Sequence, residues 1–424
     1  MNYRIFPPDG IIECRIAPPV SKSLSNRALV INAIAGAPSP GGLAICDDTQ
    51  AMIKAIEDDN NDSTIDVGAS GTAMRFLTAL IAATPGRTAS IDGCGRMRKR
   101  PIGPLVDALR SLGASIEYSG EEGFPPLRIS GTRLRGGEIS MAADVSSQFI
   151  SALMLVAPSA ESPLTINFDG DPVSGSYVTM TAELMRRQGI DVETSPVSVT
   201  VCPGKYTPVE SVDEADWSAA SYWYEIAALS AGWIELEGLS AYSLQPDRHV
   251  TNIFADLCVD TDWNDDGTAS LNPNPDQAPR LNIDLTDNPD LAPTLAVTCC
   301  MLGIPFTFTG LSTLRIKETD RLSALCSELL KISFIAEADD KGILSWGGMR
   351  GPVRSIPSID TFGDHRMAMS FAPVSIFCPG IEIRDAEVVE KSYPGFWDDL
   401  RSAGFIVVDS DNIPEELRHI IEEQ

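Results

Sequence analysis

Small and apolar residues gather along this chain in six runs, each opened by a polar cluster and most of them closed by Gly or Pro. The runs are SKSLSNRALVINAIAGA from Ser21, SGTAMRFLTALIAATPG from Ser70, SSQFISALMLVAP from Ser146, DWSAASYWYEIAALSAG from Asp216, DLAPTLAVTCCMLG from Asp290 and DHRMAMSFAPVSIFCPG from Asp364. Ser or Asp at the front predicts an N-cap, and a terminal Gly predicts a helix stop. The bodies are apolar on most sides, which predicts helices buried all round. A second set of six is amphipathic and typically leads into a strand. It starts at Met52, Leu105, Val178, Val250, Arg321 and Phe396. Successive starts lie 49, 76, 70, 74 and 74 residues apart in the first set and 53, 73, 72, 71 and 75 in the second.

A shared period near 72 residues is too long for a solenoid unit of ~20–50 residues. It suits a βαβαββ unit with one buried and one exposed helix. Six units predict an α/β fold of two similar domains, three units in each. The first unit is short, because DDNNDSTIDVG from Asp58 leaves little room for its last strands. A helix N-terminus carries unpaired N–H groups and about +0.5 charge. Related packing should therefore aim several positive helix ends at related places and make anion sites. Ordinary capping explains any one start. The basic residues Lys22, Arg27, Arg75, His365 and Arg366, which ride on these starts, shift the balance toward an anion.

Composition narrows the partners. The chain has 424 residues and a formal net charge of −27, so it should repel nucleic acid and anionic membrane. The opening MNYRIFPPDG has no apolar run and is not expected to be a signal peptide. The longest uncharged stretch, Leu291 to Leu314, is broken by Pro293, Gly303, Pro305 and Gly310, which disfavours a membrane span. Nine Cys without a CxxC pair, and only three His, predict reduced thiols in a cytoplasmic protein and no metal site.

Three motifs carry chemistry. SKSLSNRA from Ser21 sets a Lys, an Arg and three Ser at one helix start, the donors a phosphate needs, although a solvated basic helix start is equally compatible. RIKETDRL from Arg315 packs three cations around Glu318 and Asp320. It is either a salt-bridged helix start or an acid and base held between cationic anchors. GDHRMAM puts Arg366 at the head of an otherwise uncharged helix, where a charge normally needs a partner.

SKSLSNRAL, SGTAMR, RMRKRPIGPLVDAL, SSQF, PDLA, RIKETDRL, DHRMAM and EKSYPGFW occur together, in this order, between residues 21 and 397. In this the chain resembles the enolpyruvyl transferase family, most closely its EPSP synthase branch. The resemblance implies a first domain of residues 21–213, and a discontinuous second domain of residues 1–20 and 214–424, with the active site in the cleft between them. It implies transfer of the enolpyruvyl group of phosphoenolpyruvate to the 5-hydroxyl of shikimate 3-phosphate, through a tetrahedral intermediate, without metal or cofactor. A monomer is expected. The alternatives are a UDP-N-acetylglucosamine enolpyruvyl transferase and an inactive binding paralogue.

The resemblance also implies site residues. Lys22, Ser23, Arg27, Ser146, Ser147, Gln148, Ser174, Asp290, Thr313 and Lys317 match ligands of shikimate 3-phosphate. Lys22, Gly71, Thr72, Arg100, Gln148, Arg321, Arg366 and Lys391 match the phosphoenolpyruvate side. Lys22, Asp290, Lys317 and Glu318 match the proton-transfer set, with Asp290 meeting the 5-hydroxyl. The chain departs from the family pattern at Val20, Ala69, Phe76, Thr313 and Gly175, where Gly, Asn, Pro, Asn and Lys are usual.

Overall fold

A computed structural model describes residues 1–58, 60–142, 146–170, 175–352 and 356–422. They form two compact units, one inserted (Val20–Asp213) and one discontinuous (Met1–Pro19 with Glu214–Gln424). The first boundary precedes Val20 rather than following it, so that Val20 stays with the helix capped by Ser21.

The six apolar runs are the buried helices Lys22–Ala35, Gly71–Ala82, Ser147–Val156, Trp217–Ser230, Ala292–Leu302 and His365–Phe371. Ser21, Ser70, Ser146, Asp216 and Asp364 cap five of them by accepting a backbone N–H of the first turn. The sixth differs from the expectation. Pro289 opens a 3-10 turn, Pro289–Leu291, so Leu291 takes the cap position and the Asp290 carboxylate is free for other work. The amphipathic set is Asp47–Glu57, Gly103–Ser111, Gly175–Arg187, Val250–Ala255, Arg321–Lys331 and Phe396–Ser402. The acidic tail adds a short helix, Glu415–Glu422.

Two buried helices stop at Gly36 and Gly303 as read, but Trp217–Ser230 stops at Ala231, with φ 49°, not at Gly232. Gly232 answers a different need. A Cβ there would meet the Ile12 carbonyl oxygen at 2.6 Å, so the glycine lets the chain pass close to that backbone.

The sheets repeat one pattern. A strand, a buried helix and a second, parallel strand are followed by an amphipathic helix and two strands, the last pairing antiparallel with the second. Ser63–Asp66, Thr88–Asp92, Ser115–Tyr118 and Leu127–Ser130 form the simplest example. Five such four-stranded sheets occur among the described residues, two in the inserted unit and three in the discontinuous one. The first of the six expected units keeps both helices but, among the described residues, has no sheet of its own. Strand Ser63–Asp66, which follows them, pairs with Thr88–Asp92 of the next unit.

Two sheets of the discontinuous unit close over long sequence distances. Strand Glu13–Ile16 pairs in parallel with Trp233–Leu236, and the inserted unit leaves the chain between them. Strand Tyr3–Phe6 serves as the last strand of the final sheet, between Ile381–Ile383 and Ile406–Asp409. Each unit has its own apolar core around its buried helices. Among the described residues no helix is long and apolar enough to cross a membrane.

Candidate active site

In the inserted unit, polar side chains tie the buried helix starts together. Gln148 Nε2 donates to Thr72 Oγ1 at 3.2 Å, joining the second residues of two helices. Ser146 caps the helix that carries Gln148, and Ser147 is buried in its first turn. Lys22 Nζ lies 3.1 Å from Asp48 Oδ2, a carboxylate that is 3 % exposed. Ser23 Oγ is 3.3 Å from Ser21 Oγ. Arg27 is buried and donates to Thr181 Oγ1 (2.8 Å), the Ser23 carbonyl (2.9 Å) and Ser151 Oγ (3.3 Å). Its guanidinium also faces the rings of Phe76 and Tyr177. Among the described residues no carboxylate pairs with it, and burial lowers its pKa to about 10.

Gly71 is the first residue of its helix, and two guanidiniums crowd it. A Cβ there would stand 2.7 Å from Arg100 Nη1 and 2.8 Å from Arg75 Nη1. Arg75 holds the Gly71 carbonyl at 3.0 Å. Gly71 is not in the left-handed region, so the glycine provides space for these cations rather than for a turn. Ser174 lies outside the described residues.

In the discontinuous unit the cations meet carboxylates. Arg321, 1 % exposed, donates to Asp364 Oδ2 (2.8 Å), Asp290 Oδ1 (2.9 Å) and Glu318 Oε2 (3.0 Å). Arg366 reaches Asp290 twice, through Oδ2 at 3.2 Å and the backbone carbonyl at 3.1 Å. Lys317 Nζ is 3.5 Å from Asp290 Oδ1, and Lys391 Nζ donates to Glu318 Oε1 at 2.5 Å. Four cations and three carboxylates thus form one network. Burial alone would raise the Asp290 pKa, but Arg366, Lys317 and Arg321 together hold it well below the usual carboxylate range. Arg321 is shifted upward: burial opposes its charge, and the three carboxylates more than compensate. Thr313 stands near the start of the turn before Lys317, and its Oγ1 is buried with no hydrogen-bond partner among the described residues.

The structure therefore brings Asp290, Lys317, Glu318, Arg321, Arg366 and Lys391 into one network. It joins Gly71 to Arg100, and Thr72 to Gln148, while Lys22, Ser23 and Arg27 share one helix start. The sequence reading missed Asp48 as the partner of Lys22 and treated Asp364 only as a cap. The one available signal was electrostatic: a Lys at the head of a buried helix requires a counter-ion. Asp48, in the first turn of the helix Asp47–Glu57, lies before Met52, where the sequence pattern starts that helix.

The chemistry of such an arrangement suits small multiply charged anions, with carboxylates held beside the cations. A family model described as EPSP synthase (3-phosphoshikimate 1-carboxyvinyltransferase) matches residues 52–400. A Bacteroides fragilis 3-phosphoshikimate 1-carboxyvinyltransferase is 48 % identical over 408 residues, covering 96 % of this chain and 98 % of its own. One from Shewanella denitrificans is 33 % identical, covering 92 % and 96 %. The fold is similar to that of a solved EPSP synthase from Acinetobacter baumannii, with TM-score 0.74 and 23 % identity over 96 % of this chain and 100 % of that one.

Proposed function

Because the chain belongs to the EPSP synthase family, we propose how its residues transfer the enolpyruvyl group of phosphoenolpyruvate to the 5-hydroxyl of shikimate 3-phosphate. The observation that carries the reading is the network around Arg321, which holds two candidate proton-transfer carboxylates among four cations.

Arg27, Lys22, Ser23, Ser146, Ser147, Ser174 and Gln148 take the phosphorylated ring, with Thr313 on its ring hydroxyls. Arg100, Arg321, Arg366 and Lys391 take the carboxylate and phosphate of phosphoenolpyruvate, with Gly71 and Thr72 alongside. The 5-hydroxyl oxygen adds to C2 of phosphoenolpyruvate, its proton leaves to a base, and C3 gains a proton. The tetrahedral intermediate then loses a C3 proton and expels phosphate, giving 5-enolpyruvylshikimate 3-phosphate.

Asp290 is ionised before substrate arrives, so it accepts from the 5-hydroxyl and does not donate to it. Its lowered pKa makes it a weak base in the empty enzyme. Anions arriving on Arg366 and Arg321 offset those cations and raise its basicity when a proton must move. Glu318, bridging Arg321 and Lys391, is assigned to the proton at C3, and Lys317 and Lys22 to charge developing on oxygen. A cytoplasmic monomer completes the reading.

The test is phosphate release with phosphoenolpyruvate and either shikimate 3-phosphate or UDP-N-acetylglucosamine. Release with shikimate 3-phosphate alone is expected. Release with the UDP sugar, or with neither, rejects the assignment.

A further inference from the structure

Asp247 has none of the roles assigned above, yet it is only 2 % exposed. It stands in the 3-10 turn Pro246–His249 and links a buried helix to the turn that carries Asp290. Ser218, the second residue of the buried helix Trp217–Ser230, donates its hydroxyl to Asp247 Oδ2. Asn288 Nδ2 donates to Asp247 Oδ1 at 3.2 Å. Asn288 is itself buried. Its backbone N–H bonds to the Leu285 carbonyl and its carbonyl receives the Leu291 N–H, both at 3.0 Å. The turn closed by these bonds carries Asp290, two residues on. Asp290 caps no helix, so its aim is set by this turn and by the cations on its carboxylate. Burial pushes the Asp247 carboxyl up to about 6, against the pull of Arg366, so near neutral pH it is largely ionised and accepts both bonds.

We propose that Asp247 is a positioning residue for the transfer: it fixes the Asn288 side chain and so sets the turn that aims Asp290 at the 5-hydroxyl. This rests on the reading of Asp290 given above. A residue that only docked its own turn on the neighbouring helix would affect stability, or binding and turnover together. A misaimed Asp290 slows the chemical step and leaves substrate affinity nearly intact.

The experiment compares Asp247→Ala, Asp247→Asn, Asn288→Ala and the double Asp247→Ala/Asn288→Ala variant by steady-state kinetics, well below each melting temperature. Asp247→Ala should lower kcat by at least about tenfold, with both KM values within about threefold. Asp247→Asn should recover most of that loss, because its amide oxygen still accepts from Asn288 and its NH2 donates to Ser218. Asn288→Ala should match Asp247→Ala, and the double variant should be no slower than either single one. If Asp247→Ala does not fold, the Asp247→Asn and Asn288→Ala pair decides: near-normal kcat in the first and a loss in the second is required. Normal kcat in Asn288→Ala, losses that multiply in the double variant, or loss confined to KM overturns the proposal. A wild-type enzyme without phosphate release would instead reject the functional reading beneath it.

Discussion

Arg27 and Arg321 are both buried guanidiniums, one in each unit, and their surroundings are opposite. Arg27 is held by two hydroxyls, a carbonyl and two aromatic rings, and burial lowers its pKa to about 10. Arg321 is held by three carboxylates and is shifted upward. The first is a desolvated cation whose folded partners are neutral. On the proposed function an incoming phosphate would supply the counter-charge, and part of the desolvation cost already met in folding would return as affinity. The second is a charge-balanced hub. Its carboxylates are held by the cations around them, and on the proposed function an incoming anion would draw those cations partly away. On the proposed function the first arrangement would serve capture and the second the orientation of groups that move protons.

The sharpest way to break this comparison is to delete each guanidinium. Arg321→Leu leaves Asp290, Glu318 and the fully buried Asp364 without their shared cation, and loss of one partner from a buried pair costs about 3–5 kcal/mol. Arg27→Leu leaves only hydroxyls and a carbonyl, about 1–3 kcal/mol. Denaturant melts of the two variants should show the first as clearly the less stable. Equal losses would mean that the carboxylates around Arg321 are not held by it.

Lys22→Ala comes next. Removing a charge-assisted contact worth roughly 1.5–3 kcal/mol should lower kcat/KM by at least about tenfold. It also leaves the buried Asp48 carboxylate unpaired by Lys22, so Lys22→Ala/Asp48→Asn should regain stability without regaining activity. Full activity in Lys22→Ala would remove its assignment.

Glu225 sharpens the comparison from the other side. It is fully buried, and among the described residues neither carboxyl oxygen has a hydrogen-bond partner. A carboxyl escapes such a site by keeping its proton, and burial holds its pKa well above the usual value. The unfolded chain releases that proton near its ordinary pKa of about 4.3, so the stability this group contributes falls as pH rises above that value. Glu225→Met should therefore raise the melting temperature more at pH 8 than at pH 5. The same gain at both values would show that Glu225 is paired after all.

Gly71→Ala should have the smallest effect. Its methyl would press on the guanidinium ends of Arg100 and Arg75, which are flexible enough to shift, and the backbone needs no left-handed conformation. A raised KM for phosphoenolpyruvate of a few-fold, with shikimate 3-phosphate and the melting temperature nearly unchanged, is expected. Equal losses for both substrates with a lowered melting temperature would contradict the crowding of Arg100.

Local chemistry made much of this legible in the sequence. The six buried helices and five of their caps could be read because a Ser or Asp before an apolar run acts within three residues. Asp290 broke the pattern because Pro289 starts a 3-10 turn one residue earlier, a local signal that was outweighed by the repeat. That the first unit is short could be read from the few residues between Asp58 and Gly68. The return of Tyr3–Phe6 to the final sheet could not, because its partners lie some 380 residues away and its own four residues resemble any short strand. The pairings of Asp48 with Lys22, and of Arg321 with Asp290 and Asp364, were hidden for the same reason: each reaches across packed elements, and nothing near a carboxylate in sequence announces a distant cation.

The division between capture and proton transfer is tested most directly by calorimetric titration of shikimate 3-phosphate, without phosphoenolpyruvate, into wild-type, Arg27→Gln and Arg366→Gln protein. Gln keeps a hydrogen-bonding group at each position and removes the charge. Affinity should fall by roughly tenfold or more in Arg27→Gln and stay within about threefold of wild type in Arg366→Gln. Unchanged affinity in Arg27→Gln, or a larger loss in Arg366→Gln, would contradict the account.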